Sequence, residues 1–261
     1  RVLAERGHTV TLFEAAPQLG GQARIGADAS WRGDLIGVVD WRASELERLD
    51  IDVRCNHFAE AADVLAAAPD IVIVATGGIP DLDWLNGLEH ATSVWDLLTG
   101  NAPVGDEVIV YDGTGRHPAP HGAEHAAAAG SQTTLVSIDG ELATELTYAE
   151  RAVWKRRLYE LEVPMSFDHR LTRIARDGNR LTATFVNEST GAATTRTADQ
   201  IVVEHGTVPL DAIYHELRGH AANNGVTDLD ALVAGQPQPP GNRPGFELHR
   251  IGDAVASRNI A

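Results

Sequence analysis

The sequence predicts an α/β protein with two parallel-sheet domains, the second inserted into the first. Two apolar runs, residues 71–75 and 108–111, have the length and residue types of buried parallel strands. Helix-like and strand-like patterns alternate around both runs, which is typical of βαβ units. A further strand-like run at residues 246–251 follows a Pro- and Gly-rich stretch, so we expect the chain to return there to the first domain.

The first domain opens with the end of a helix, a glycine and a short strand that closes on Glu14. A βαβ unit would place a strand and a glycine-rich turn before such a helix, so we expect these upstream of Arg1. On this interpretation the first domain lacks its N-terminal βα. The elements predicted next are a glycine-containing loop at 19–22, a helix at 33–49, a strand at 51–55, a helix at 59–68 and the strand at 71–78.

The second domain repeats the design from Glu107 onward. We predict strands at 108–111, 133–138 and 200–206, helices at 123–129 and 148–161, and a meander at 171–186. Residues 235–245 read as a linker or surface loop. We therefore assign residues 1–103 and 235–261 to the first domain, and residues 104–234 to the second.

Composition excludes several classes of protein. The chain has 21 basic and 37 acidic residues and a formal charge of −16, which disfavours nucleic-acid binding. No apolar stretch approaches the roughly 20 residues that span a bilayer, and the opening residues do not have the pattern expected of a signal peptide. Cys55 is the only cysteine, so the segment holds no internal disulfide and no thiolate cluster for zinc or iron–sulfur. This favours a cytoplasmic protein.

Motifs at the ends of predicted strands indicate a nucleotide site. Glu14 stands where a Rossmann-like fold places an acid that hydrogen-bonds the adenosine ribose, although a solvated strand end is the alternative. The other motifs are Leu19-Gly20-Gly21-Gln22, Ala75-Thr76-Gly77-Gly78 and Ile251-Gly252-Asp253-Ala254. Together they predict a dinucleotide-binding domain.

The order of these motifs, with residues 203–209 before the linker, resembles a flavoprotein family. It is similar to the C-terminal nucleotide-binding region of the trimethylamine dehydrogenase and 2,4-dienoyl-CoA reductase family of NADH:flavin oxidoreductases. The resemblance implies two FAD/NAD(P)-binding three-layer domains. It also implies a missing N-terminal, old yellow enzyme-like (β/α)8 barrel that carries FMN, and a [4Fe-4S] cluster that joins the barrel to this segment.

In that family this segment binds FAD, or ADP alone in the amine dehydrogenases. Glu14 would hold the ribose, Thr76 and Gly77 would pack beside the pyrophosphate, and Asp253 would meet the ribityl chain of FAD. The remaining residues implied at the cofactor are Gly20, Gly21, Gln22, Ala75 and Gly252. Catalytic residues would lie on the barrel, so we expect none in this chain and no activity from it alone. We expect the intact enzyme to be a homo-oligomer that passes electrons to an external acceptor.

The second domain offers a degenerate nicotinamide motif. Gly113, Gly115 and Arg116 follow its first strand, but Pro118 occupies the place of the third glycine and has no amide hydrogen. This favours the amine dehydrogenase and demethylase branch, which passes electrons outward. The alternatives are an NAD(P)H-dependent enoyl (2,4-dienoyl-CoA) reductase, in which Arg116 meets a phosphate, and a redox-inactive nucleotide-binding module.

Three histidines follow the same motif at a spacing of four residues. His117, His121 and His125, with Glu124, have a spacing that can place metal ligands on one helical face. The prolines between them argue against a continuous helix, so a solvated turn and helix start is the preferred interpretation. We expect no metal site.

Overall fold

The computed structural model describes residues 1–256. The chain forms two compact units, unit 1 with Arg1–Leu19, Asp40–Ile79 and Thr207–Ala261, and unit 2 with Gly20–Val39 and Pro80–Gly206. The units divide the chain at other residues than the predicted domains do, because residues 20–39 and 80–103 group with unit 2 and residues 207–234 with unit 1. Residues 257–261, which we assigned to the first domain, lie outside the described residues.

The helices and strands within residues 1–256 alternate along much of the chain. The helices are α1 (Val2–Glu5), α2 (Gly21–Ala27), α3 (Ile36–Arg48), α4 (Ala61–Ala66), α5 (Val94–Leu98), α6 (Pro118–Ala128), α7 (Tyr148–Glu160), α8 (Ala212–Leu217) and α9 (Leu229–Val233). The strands are β1 (Thr11–Phe13), β2 (Asp52–Arg54), β3 (Ile71–Val74), β4 (Gly78–Pro80), β5 (Ala91–Ser93), β6 (Glu107–Asp112), β7 (Gln132–Ser137), β8 (Met165–Ser166), β9 (His169–Asp177), β10 (Arg180–Asn187), β11 (Ala193–Ala198), β12 (Gln200–Glu204), β13 (Thr207–Pro209) and β14 (Glu247–Arg250).

Unit 1 is built on pairs of parallel strands. β1 pairs with β2, and β3 pairs with β14, so the C-terminal strand returns to the first domain as predicted. β3 is not the central strand that its apolar sequence predicted. β14 is its one partner among the described residues, and the side chains of Ile71 and Ile73 remain 43% and 42% exposed.

Unit 2 contains a five-stranded parallel sheet, within the described residues, in the order β5-β12-β6-β7-β8. The apolar runs of β6 and β12 are buried, as their sequences predict. Alternate residues of β6 face opposite cores: Val108 and Val110 pack with α5, α6 and α7, whereas Ile109 and Tyr111 pack with the antiparallel β9-β10-β11 meander. This layering confirms the predicted α/β fold class.

Helix α6 begins earlier than the sequence predicted. We expected residues 123–129, but the helix runs from Pro118 to Ala128 and includes both prolines. Pro118 and Pro120 lie in the first turn, where backbone N–H groups have no partner within the helix, so proline removes no helical hydrogen bond. Across residues 1–256 every helix is too short or too polar to traverse a lipid bilayer.

Candidate nucleotide site

Glu14 lies at the carboxyl end of β1. Its N–H donates to the Arg54 carbonyl of β2 at 2.9 Å, which extends the pairing of the two strands by one residue. The carboxylate is partly exposed, and its Oε1 accepts from the Ala16 N–H at 2.8 Å. The acid therefore occupies the position expected of a ribose ligand and also orders the loop that follows it. Both interpretations of Glu14 are compatible with this geometry.

Residues 75–77 and 252–253 leave the sheet from neighbouring strands. Arg250 of β14 stands opposite Val74 of β3, and the Ile251 N–H donates to the Val74 carbonyl at 3.0 Å. The two predicted motifs therefore begin side by side at one edge. Gly77 and Gly252 have φ angles of +76° and +63°, and a Cβ added to either would meet no atom within 4 Å. Both turns are open on the side where a ligand could approach their backbone.

The Ala-Thr-Gly-Gly turn is also fixed by the segment that follows β12. The Thr76 hydroxyl donates to the Leu210 carbonyl, and the Leu210 N–H donates to the Gly77 carbonyl at 3.0 Å. A Cβ on Gly78 would lie 2.7 Å from the Val208 carbonyl oxygen. Gly78 is therefore required by packing, which the sequence motif alone did not reveal.

The Gly20-Gly21-Gln22 motif lies in unit 2, at the start of α2. Gly20 has a φ of +126°, and a Cβ there would lie 2.8 Å from Cγ1 of Val39. Gly20 is thus needed for a close contact within its own unit, whereas Gly21 has open space around it. The structure brings residues 75–77 together with 252–253, and it groups residues 20–22 with a different unit.

The residues of unit 1 have the chemistry expected at the adenosine and ribose part of a nucleotide, and they follow strands of two separate pairs, β1-β2 and β3-β14. A carboxylate acceptor follows one parallel strand, and glycine turns with open faces follow two others, which is where doubly wound folds bind such ligands. A glycine-rich phosphate loop of the G-x-G-x-x-G type does not occur in the 261 residues. The fit is therefore restricted to the sugar and its neighbouring atoms.

The turn after β6 in unit 2 satisfies its own amides. The Gly113 N–H donates to the Glu204 carbonyl at 2.8 Å, and the Thr114 and Gly115 N–H groups donate to Oδ1 of Asp112 at 3.1 and 2.8 Å. Asp112 is fully buried, and sequence analysis missed its part in this turn. The signal was present: an acid stands directly before Gly-x-Gly.

Asp112 and Glu204 are neighbouring buried acids. They are paired in register on β6 and β12, and Oε1 of Glu204 accepts from the Gly206 N–H at 3.0 Å. Burial raises the pKa of Asp112 to about 6 and that of Glu204 to about 7, and the charge of Asp112 adds to the second shift. Arg116 lowers the Glu204 pKa in part, but its Nε is buried without a hydrogen-bond partner among residues 1–256.

His117 and His121 are largely buried in unit 2, so the solvation predicted for this turn was wrong. A helix does start here, because α6 begins at Pro118 directly after His117. Nδ1 of His117 accepts from Nε1 of Trp154 at 2.9 Å, and its Nε2 lies 3.4 Å from Glu150. His121 is only 4% exposed. Burial lowers the pKa of both histidines to about 4, so both are neutral at pH 7.

Glu124 is committed to structural contacts as well. It accepts from the Ser30 hydroxyl at 2.5 Å and from Nε of Arg157 at 2.9 Å, so it links the loop before α3 to α7. Among residues 1–256, no group of three or more His, Cys, Asp or Glu side chains is arranged to hold a metal ion. The spacing of four residues thus serves helix packing.

Comparison with known proteins identifies the family. No family model matches the chain. The chain is 45% identical over 264 residues to the multifunctional alkene reductase/demethylase OYE of Caballeronia cordobensis, and 38% identical over 273 residues to the N,N-dimethylglycine/sarcosine dehydrogenase of Chromohalobacter salexigens. These matches cover 100% and 99% of this chain. The chain belongs to the trimethylamine dehydrogenase and 2,4-dienoyl-CoA reductase family, a family of oxidoreductases.

This family member spans 39% of the length of both relatives. The fold is also that of a solved histamine dehydrogenase from Rhizobium sp. 4-9, with a TM-score of 0.80 at 22% identity. That match covers 99% of this chain and 39% of the other. Both units therefore have the fold found in that protein.

Proposed function

We propose that this chain is the nucleotide-binding, electron-relay portion of a flavin-dependent oxidoreductase that oxidises N-methylated amines. The observation that carries the proposal is 38% identity, over 99% of this chain, with a relative named as an N,N-dimethylglycine/sarcosine dehydrogenase. Because the chain spans 39% of the length of that relative, the remaining part of the polypeptide would hold the FMN barrel, the [4Fe-4S] cluster and the catalytic groups.

In this proposal unit 1 holds the adenosine end of FAD or ADP. Glu14 accepts hydrogen bonds from the ribose hydroxyls, which selects a nucleotide without a 2′-phosphate. Residues 75–77 and 252–253 would present backbone groups to the rest of the ligand. A bound flavin supplies reversible electron acceptance, and the protein fixes its position and surroundings.

The unpaired strand edges of unit 1, within residues 1–256, support the proposal that this chain is one portion of a longer polypeptide. β1 and β3 each pair on one side within residues 1–256, and Ile71 and Ile73 expose apolar surface that a central strand would bury. An unpaired strand edge with apolar side chains is a template for a further strand. A strand from another part of the same polypeptide would pair with this edge, and an element packed on the face of the sheet would bury Ile71 and Ile73.

A second candidate is an NAD(P)H-dependent alkene reductase. The relative with 45% identity is named for both alkene reduction and demethylation, so its name favours neither branch. The two candidates differ in the electron donor. An amine donates electrons in the first, and NADH or NADPH in the second.

The test uses the complete polypeptide that contains this chain, purified without added flavin. Its visible absorbance should reveal flavin, and anaerobic addition of a secondary or tertiary N-methylated amine should bleach it. Bleaching by NADPH with no response to amines would establish the reductase instead. A polypeptide without flavin would leave a redox-inactive module as the answer and would refute the proposal.

A further inference from the structure

The turn between β6 and α6 has the position of a dinucleotide phosphate loop, yet protein groups fill it. We propose that the Asp112 carboxylate stands in for a ligand phosphate at this turn and thereby bars nicotinamide dinucleotides from unit 2. The inference rests on unit 2 alone, so it holds whichever substrate reduces the flavin.

The backbone N–H groups of this turn are already hydrogen-bonded to protein acceptors. A phosphate loop binds its ligand through consecutive backbone N–H groups. Here the N–H groups of Gly113, Thr114 and Gly115 all have protein acceptors, and Asp112 provides two of the three bonds with one oxygen. A phosphate would have to displace an anion that is covalently attached to the same turn.

Protein side chains also pack closely against the glycines of this turn. In a phosphate loop the glycines let the backbone approach the ligand. Here the place of a Cβ on Gly113 lies 2.7 Å from Cδ2 of His205, and that on Gly115 lies 2.4 and 2.6 Å from Thr144 and Asp139, so protein atoms occupy the space beside both glycines. The Thr144 hydroxyl donates to Asp139 at 2.5 Å, which holds this cover together.

The buried acids at this turn also oppose the binding of a phosphate. Asp112 and Glu204 are buried side by side at the turn, and a phosphate placed there would meet like charges in a poorly solvated site. Helix α6 offers little compensation. Pro118 and Pro120 have no amide hydrogen, so two of the first three residues of α6 cannot donate to an anion.

The experiment measures hydrogen–deuterium exchange of residues 112–118 in the complete polypeptide at pH 8, where Asp112 is ionised. The probes are inorganic pyrophosphate and NADH, each up to roughly millimolar concentration. We expect no slowing of exchange in the wild-type protein. In Asp112→Ala the freed amides and the lost charge should raise pyrophosphate affinity at least tenfold, with slowed exchange at Thr114 and Gly115.

Two matched variants separate occupancy from charge. Asp112→Asn keeps an acceptor for the two amides, and Asp139→Asn removes a nearby charge that accepts from no amide of the turn. Both should gain much less than Asp112→Ala. Asp112→Gly carries the same expectation as Asp112→Ala, should the alanine variant not fold. The proposal would be overturned if NADH slowed amide exchange in the wild-type protein. It would also be overturned if neither Asp112→Ala nor Asp112→Gly gained affinity for pyrophosphate.

Discussion

Glu204 sits beside Asp112 on the neighbouring strand, with the carboxyl groups of both residues buried. A carboxyl whose folded pKa is raised favours the folded state while it is protonated. For Glu204 this contribution is complete below its ordinary pKa near 4.5 and is lost as pH rises through about 7. At pH 8 the ionised, buried Glu204 therefore lowers the free energy of unfolding of the wild-type protein, and at pH 4 it does not.

We predict that Glu204→Gln becomes more stable relative to wild type as pH rises from 5 to 8, by about 2 kcal/mol. Glutamine keeps an acceptor for the Gly206 N–H and carries no charge. The free energy of unfolding from urea titrations at both pH values measures the effect. Glu188→Gln, at an exposed ion pair with Arg170, is the control and should change by less than about 1 kcal/mol at either pH. A constant difference between Glu204→Gln and wild type would contradict the prediction.

His117 is an acceptor for a buried tryptophan. Replacing it with phenylalanine leaves Nε1 of Trp154 without that partner, and a buried unpaired donor costs about 1–3 kcal/mol. Thermal or urea unfolding should therefore show a loss of this size. The matched change His125→Phe, in the last turn of α6, leaves the bond to Trp154 in place and should lose clearly less. Equal losses would mean that the bond to Trp154 contributes nothing.

Among the elements, the meander depends on a glycine in the connection before β5. Gly87 has a φ of +86°, and a Cβ there would lie 1.9 Å from the Ile174 carbonyl oxygen of β9. Gly130, after α6, has a similar φ of +94° but no atom within 4 Å of a Cβ. The two positions share a positive φ, which would strain any residue with a Cβ, and differ in packing.

We predict that Gly87→Ala lowers the free energy of unfolding by at least about 2 kcal/mol more than Gly130→Ala does. Both variants incur the cost of alanine at positive φ, so the difference isolates the clash with β9. Paired denaturation curves provide the measurement. Similar curves would show that the Gly87 connection can move away from β9 without cost.

Prediction of helices and strands from the sequence succeeded where the burial of an element follows from its own run of apolar residues. β6 and β12 are buried strands of the expected type, and α7 begins at Tyr148 as predicted. It failed where the outcome depends on position within a helix, as in the first-turn prolines of α6. It also failed for β3, since pairing of a strand is decided by other strands and not by its own apolar residues.

At the scale of the whole molecule, sequence motifs assigned residues 75–77 and 252–253 to the same dinucleotide-binding domain. They could not reveal that Gly78 packs against Val208, a contact between residues 130 positions apart in the chain. Nor did the Gly-x-Gly motif separate an open phosphate loop from one filled by Asp112. The glycine spacing is the same in an open loop and in a filled one. The two are distinguished by the hydrogen-bond partners of the backbone N–H groups.

We propose that unit 1 binds an adenine nucleotide through Glu14. The most direct measurement is calorimetric titration of ADP and FAD into the nucleotide-free complete polypeptide, as wild type and as Glu14→Ala. The account predicts a 10- to 100-fold loss of affinity, since charge-assisted bonds worth about 1.5–3 kcal/mol are removed. Folding should be preserved, and Asp52→Ala, which removes an exposed acid from the neighbouring strand, should bind as wild type does. Equal affinity in Glu14→Ala and wild type would contradict the account and identify Glu14 as a solvated strand end.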